Sequence, residues 1–306
     1  MNEKPKVSIG IPAYNEEANI AFLLSNLLEQ EKSNFALHEI IVVSDGSSDK
    51  TVEMAKSISN SVISVIENAN RSGKPAVQNQ ILEKFTGDIL VLIDGDVLPA
   101  HERLIELLVQ PFLDNPKLGL VGGCFTPMPP ETWVEKIISY STGLKRKITT
   151  TYKGGKNLFQ CSGRVRALSK QFGKVLKFPD VVTEDTYSYF VCLDKGFEFI
   201  YQPEAKIYYR SPQTIRDHLK QSLRYSQGKK DLEKFYSKEF IKDQHKLPFP
   251  LVSRIMVKEL FSHPILLLSY LGVYLVSVAT SVLFMEALLK WNFVSTSKVL
   301  IRKEKT

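Results

Sequence analysis

The stretch DILVLIDGDVLP, Asp88 to Pro99, decides the reading of the fold. Ile89 to Ile93 form a continuous apolar run of strand length, which suits a strand covered on both faces. The run ends in two carboxylates, Asp94 and Asp96, on either side of Gly95. Charge at the edge of a core is unfavourable unless a counter-charge or a ligand meets it.

Upstream, the β-branched runs KVSIGIPAY, EIIVVSDG and SVISVIE alternate with EEANIAFLLSNLLEQ, DKTVEMAKSI and KPAVQNQILEKF, whose apolar residues recur at helical spacing. This alternation predicts an α/β domain with a mostly parallel central sheet and helices on both faces. Ligands on such sheets bind at the carboxyl ends of the strands, where polar residues gather here at Tyr14 to Glu17, Ser44 to Asp49 and Asp94 to Asp96. Downstream the pattern is mixed. LGLVGGCF, FEFIYQ and KIYYRS read as strands, ETWVEKIISYSTGLKRK and TEDTYSYFVCLDKG as helices, and a further helix starts after Pro212. FQCSGRVRALSK is a glycine-containing segment, and HKLPFPLVSR reads as a linker.

With 306 residues, 43% of them apolar, the chain can bury a large core. Pro264 to Met285 carries no charge and would measure about 33 Å as a helix, the length of a bilayer crossing. Trp291 lies just beyond it, at interface depth. The N-terminus lacks the apolar core of a signal peptide, so the domain ahead of the helix is expected on the cytoplasmic side of the cell membrane, anchored by a single pass. The formal charge of +7 suits anionic headgroups and phosphorylated ligands, and beside a membrane segment these are expected rather than nucleic acid. Cys124, Cys161 and Cys192 are scattered and read as reduced, buried thiols, while His38, His101, His218, His245 and His263 show no metal-binding spacing.

Asp94 and Asp96, two apart, can face one hard cation, Mg²⁺ or Mn²⁺, that bridges to a diphosphate. The plain alternative is a solvated acidic turn. A strand followed by DGDV also resembles the first motif of haloacid-dehalogenase phosphatases, with Asp94 as nucleophile, although that motif belongs near the start of its domain and three βα units precede it here. RSGK is not a phosphate loop of the Walker type, because Asn68 stands where its leading glycine would be and Pro75 where its hydroxyl residue would be.

Taken in order, SIGIPAYNEEANI, VVSDGSSDKT, RSGKPAVQNQ, VLIDGDVLP, TED and QSLRY resemble the motif series of family 2 glycosyltransferases, inverting enzymes of the GT-A fold, over about Val7 to Gly228. The resemblance implies a nucleotide-diphosphate sugar donor, most commonly UDP-linked, with Pro12, Tyr14, Glu16, Asp45, Arg71, Lys74, Asp94 and Asp96 on the donor side. Tyr14 would stack on the base, Glu16 and Asp45 would accept hydrogen bonds from base or ribose, and Asp96 with Asp94 would hold the metal. It makes Asp185 the base for the acceptor hydroxyl and puts Gln221 and Arg224 in the catalytic set, with Glu184 and Tyr225 on the acceptor or diphosphate side. Gln221, Arg224 and Tyr225 fall on one helical face. Tyr225 departs from the family pattern, which ends in Trp. The structural alternative for TED is a helix start capped by Thr183.

The expected organisation is a GT-A domain over 1–240, a juxtamembrane, interfacial segment over 241–263, a transmembrane helix over 264–285 and a basic tail over 286–306. The expected reaction is metal-dependent sugar transfer to a hydroxyl of a lipid-linked or membrane-near saccharide acceptor, with a channel, if one is needed, supplied by membrane partner proteins. The rival of another class is a non-catalytic membrane-bound nucleotide-sugar-binding protein on the same fold.

Overall fold

The computed structural model describes residues 3–284 and 298–300, with side chains in the last helix through residue 280. In chain order the first half contains β1 (Lys6–Ala13), α1 (Ile20–Leu28), β2 (Ala36–Asp45), α2 (Thr51–Lys56), β3 (Ile63–Asn68), α3 (Lys74–Lys84), β4 (Ile89–Ile93), β5 (Val97–Pro99) and α4 (Leu104–Asp114). The second half contains β6 (Leu118–Pro127), α5 (Trp133–Thr151), β7 (Val165–Ser169), α6 (Lys170–Val175), α7 (Glu184–Asp194), β8 (Glu198–Tyr209), α8 (Ile215–Leu232), α9 (Lys238–His245), α10 (Phe249–Ser262) and α11 (Pro264–Phe284).

One sheet in the order β3-β2-β1-β4-β7-β6-β8-β5 organises the chain. Only β7 and β5 run against the other strands, so the sheet is mostly parallel. Alternate residues of β4 serve two cores, because strand side chains switch faces at each step. Ile89, Val91 and Ile93 pack with Leu24, Leu27, Leu104 and Leu108, while Leu90 and Leu92 pack with Val77, Ile81, Phe172 and Phe190. The antiparallel β4–β7 pairing sets Ile93 opposite Val165, which brings the residues before β7 beside Asp94.

Several expectations shift. Asp94 and Asp96 stand in the turn between β4 and β5, not on a strand face, so the turn and not the pleat brings them together. FEFIYQ and KIYYRS form one strand, β8, whose register against β6 slips between Gly123 and Cys124. The glycine-containing segment becomes strand β7, and α4 and β5 are elements that the sequence reading passed over. The linker-like stretch holds the start of α10, with Leu247, Leu251 and Val252 packed against Leu144 and Ile148 of α5.

The expected membrane crossing needs the largest correction. Pro264–Phe284 is helical, but Leu267, Tyr270 and Leu271 pack against the α5 and α10 side chains, so one face of α11 is spent on the domain. Among the described residues no helix is long and apolar enough to cross a membrane. Met285, Trp291 and most of the basic tail over 286–306 lie outside the described residues. The opposite face of α11 and the adjoining α10 leave Phe249, Phe261, Ile265, Leu268 and Leu275 exposed, Phe261 at 83%.

The approach of α8 to the start of α7 depends on Gly228, where an added Cβ would lie 2.2 Å from Cγ2 of Thr183. Gly228→Ala sets a clash of about 1–3 kcal/mol against a helix preference of about 1 kcal/mol. It is expected to lower the melting temperature in the natural background and to raise it or leave it unchanged beside Thr183→Ala; equal effects in both backgrounds would mean that this contact does not set the helix spacing.

Candidate functional site

A cleft at the carboxyl ends of β1, β2 and β4 gathers Pro12, Tyr14, Glu16, Asp45, Arg71, Lys74, Asp94, Asp96, Glu184, Asp185, Gln221, Arg224 and Tyr225. Every residue that the family resemblance assigned to the donor, catalytic or acceptor side therefore lines one space. The contacts show what holds each in place.

On the donor-side wall, Asp45 ends β2 and is buried. Its Oδ1 accepts from Ser72 N–H at 2.7 Å and Ser72 Oγ at 2.8 Å, and its Oδ2 from Gly73 N–H at 2.9 Å. It therefore anchors the RSGK loop as well as facing the cleft. Gly46 permits this at a φ of +64°, with the backbone of Asn70 and Arg71 2.8 Å from where a Cβ would lie. The Arg71 guanidinium lies 3.9 Å from the Tyr14 ring centre, so one face of the ring expected to stack on a base already carries a cation. Glu16 is buried, accepts from Asn19 Nδ2 at 3.0 Å, and packs its Cγ against Gly95, 2.9 Å from the position of an added Cβ. Gly95 thus admits the Glu16 side chain.

At the centre, Lys74 opens α3 and reaches Asp94 at 2.7 Å and Glu184 at 2.8 Å, with the Gly163 carbonyl at 3.2 Å. Burial alone would raise the Glu184 carboxyl, but Lys74 and the wholly buried Arg166 hold it below its ordinary value. Burial and the neighbouring Asp94 push Asp96 up to about 6. Two oxygen-donor carboxylates, one resisting ionisation beside the other, are a site that a hard divalent cation would relieve, with waters and phosphate oxygens completing its shell. Asp94 and Asp96 therefore fit such an ion chemically, although among the described residues no cluster of three or more His, Cys, Asp or Glu side chains is placed to hold one unaided.

Across the cleft, Glu184 and Asp185 form the first turn of α7. Asp185 Oδ2 accepts from Gly163 N–H at 3.1 Å and Oδ1 from Thr186 N–H at 2.7 Å. Burial, then the charge of Glu184, raise its affinity for a proton. Thr183 makes no side-chain cap bond to α7, so the capping alternative for TED is not what the structure shows. The third wall is α8, which presents Gln221, Arg224 and Tyr225, and whose start is capped by Thr214 accepting from Asp217 N–H at 3.2 Å.

The sequence reading missed several residues. Gly163 links Lys74 and Asp185 through its own carbonyl and N–H. Arg164, Tyr209 and Arg210 line the cleft, and Arg210 pairs with Glu131 at 2.9 Å and Glu135 at 3.5 Å. The available signal was GRVR inside FQCSGRVRALSK, a glycine and two arginines before an apolar run. Lys298 also enters the cleft, pairing with Glu16 and donating to the Tyr14 carbonyl at 3.2 Å. Leu300 is buried, its N–H donates to Asn19 Oδ1 at 3.3 Å, and its carbonyl accepts from Arg210 at 3.1 Å. The thiols of Cys124, Cys161 and Cys192 are free and buried, and burial pushes those of Cys161 and Cys192 up to about 12.

The sequence model described as glycosyl transferase family 2 matches residues 8–175. The poly-beta-1,6-N-acetyl-D-glucosamine synthase of Staphylococcus aureus is 27% identical over 254 residues, covering 74% of this chain and 57% of the synthase. The chain thus spans little more than half the length of that relative. Two solved structures share the fold. One is a mannosyltransferase from Pyrobaculum calidifontis in complex with GDP-Man and Mn²⁺, with a TM-score of 0.58, 20% identity, and coverage of 94% of this chain and 79% of that one. The other is glucosyl-3-phosphoglycerate synthase from Mycobacterium tuberculosis in complex with Mn²⁺, UDP and phosphoglyceric acid, with a TM-score of 0.56, 19% identity, and coverage of 75% and 78%.

Proposed function

This chain belongs to glycosyl transferase family 2, and from that premise we propose that it moves a sugar from a nucleotide-diphosphate sugar to a hydroxyl of a saccharide acceptor, with inversion. The observation that carries the reading is the placement of Asp185. Its carboxylate is oriented by two backbone N–H groups and faces the same cleft as the Asp94–Asp96 pair. A sugar hydroxyl is a poor nucleophile at neutral pH, so a positioned base with raised proton affinity is what transfer requires.

Asp185 takes the acceptor proton as the acceptor oxygen attacks the anomeric carbon from the face opposite the leaving group. Asp94 and Asp96 would hold Mg²⁺ or Mn²⁺, which when bound offsets negative charge on the departing diphosphate by several kcal/mol. Arg224 adds positive charge on the same side, and Gln221 and Tyr225 border the acceptor from α8. Pro12, Tyr14, Glu16, Asp45 and Arg71 surround the nucleotide, with UDP the expected carrier. Lys74 keeps Glu184 and Asp94 in register. The phosphatase alternative at Asp94 is set aside, because the family match spans the motif and the solved relatives share the fold. The non-catalytic alternative gives no use to a base held opposite the donor pair.

The acceptor is proposed to be lipid-linked or membrane-near, with the protein at the cytoplasmic face of the cell membrane and membrane proteins as its partners. Support comes from the exposed apolar residues of α10 and α11 beside the exposed Arg254 and Lys258, an arrangement suited to lying among anionic headgroups. Phe249→Ser with Phe261→Ser is expected to reduce co-sedimentation with vesicles of anionic phospholipid severalfold; undiminished sedimentation would remove this surface as the contact.

Asp185→Asn keeps the shape and removes the basicity. It is expected to lower transfer by roughly 10²-fold or more while leaving nucleotide affinity within a few-fold. Near-normal transfer with a lowered melting temperature would make Asp185 a structural residue and sink this assignment.

A further inference from the structure

We propose that Arg164 is a diphosphate-binding residue, a guanidinium held over an aromatic ring so that its N–H groups meet the phosphate that leaves the donor sugar. This rests on the nucleotide-diphosphate reading above and adds to it a residue outside the family motifs.

Arg164 directly precedes β7, and its carbonyl accepts the N–H of Asp94 at 2.9 Å, so its side chain originates beside the acidic turn. It lines the same cleft. The guanidinium carbon lies 4.2 Å from the Tyr209 ring centre and 5.2 Å from that of Phe125. Among the described residues its guanidinium makes no hydrogen bond and no ion pair. Neighbouring cations differ. Lys74 is committed to Asp94 and Glu184, and Arg210 to Glu131 and Glu135. A guanidinium lying over ring faces and drawn by the nearby charges of Asp96 and Asp94, with no hydrogen bond to either, keeps its forked donors for a ligand, and that fork matches two phosphate oxygens.

The charge balance gives the fork a task. In transfer the bond between the anomeric carbon and the diphosphate oxygen breaks, with its electron pair going to that oxygen. The acceptor oxygen forms the new bond, and its proton goes to Asp185. The departing diphosphate gains one negative charge beside the acidic turn, where Asp94 and Asp96 offer no compensation of their own. A pre-oriented cation there stabilises the charge as it develops.

The test uses the whole chain and two probes, Mn²⁺ alone and inorganic pyrophosphate with Mn²⁺. Arg164→Gln is expected to bind Mn²⁺ as the natural protein does and to bind pyrophosphate about tenfold or more weakly, the loss of a charge-assisted contact. Arg164→Lys, which keeps charge but not the fork and is the gentler change for folding, is expected to fall between them. Unchanged pyrophosphate affinity in Arg164→Gln, parallel loss of Mn²⁺ itself, or natural affinity in Arg164→Lys would overturn the proposal. Failure of the natural protein to bind pyrophosphate with Mn²⁺ would count instead against the donor reading.

Discussion

Everything in the cleft depends on Lys74, a cation that meets Asp94 from the acidic turn and Glu184 from α7 at once. Without it, the carboxylates of the turn and of the TED segment would converge in a partly closed space with Arg164 and Arg166 left to offset their repulsion. Only partly open to solvent, the pairing is tighter than a surface ion pair, and its loss would leave the buried Glu184 without its nearest counter-charge. It joins a strand end of the first half to a helix start of the second. The backbone of Gly163 tightens the same knot, taking Lys74 on its carbonyl and giving its N–H to Asp185.

This arrangement divides labour among acids of similar chemistry. Glu184 is held ionised by its cations and serves as a structural counter-charge, whereas its neighbour Asp185 is left with raised proton affinity and a fixed orientation. Asp96, pushed up to about 6 by burial and by Asp94, is the carboxyl that a divalent cation would relieve. In the proposed transfer, leaving group and acceptor would thereby meet carboxylates of different chemistry.

The fold of the first half was legible because covered parallel strands must be apolar on both faces, and β2 and β4 are. The site was legible for the related reason that loops at the carboxyl ends of those strands have no core to fill, so their polar residues stand out. What escaped the sequence depends on long-range pairing. Arg164 gains meaning only when β7 pairs with β4, and Lys298 only when a residue more than two hundred positions away returns to Glu16. β5 is three residues long, too short for any period. The apolar run from Pro264 met the length criterion for a crossing, yet periodicity cannot distinguish a helix facing lipid from one that spends Leu267, Tyr270 and Leu271 on a neighbouring helix.

On this reading the acidic turn would bind a diphosphate through a shared cation held by Asp94 and Asp96. Calorimetric titration of UDP and of GDP into the protein, with Mn²⁺ and in EDTA, tests it directly when repeated on Asp96→Ala. Binding of at least one nucleotide is expected with Mn²⁺, with affinity lost in EDTA and lost in Asp96→Ala at any Mn²⁺ concentration that saturates the natural protein. Equal affinity in EDTA, or an Asp96→Ala protein that binds as the natural one does, would contradict it.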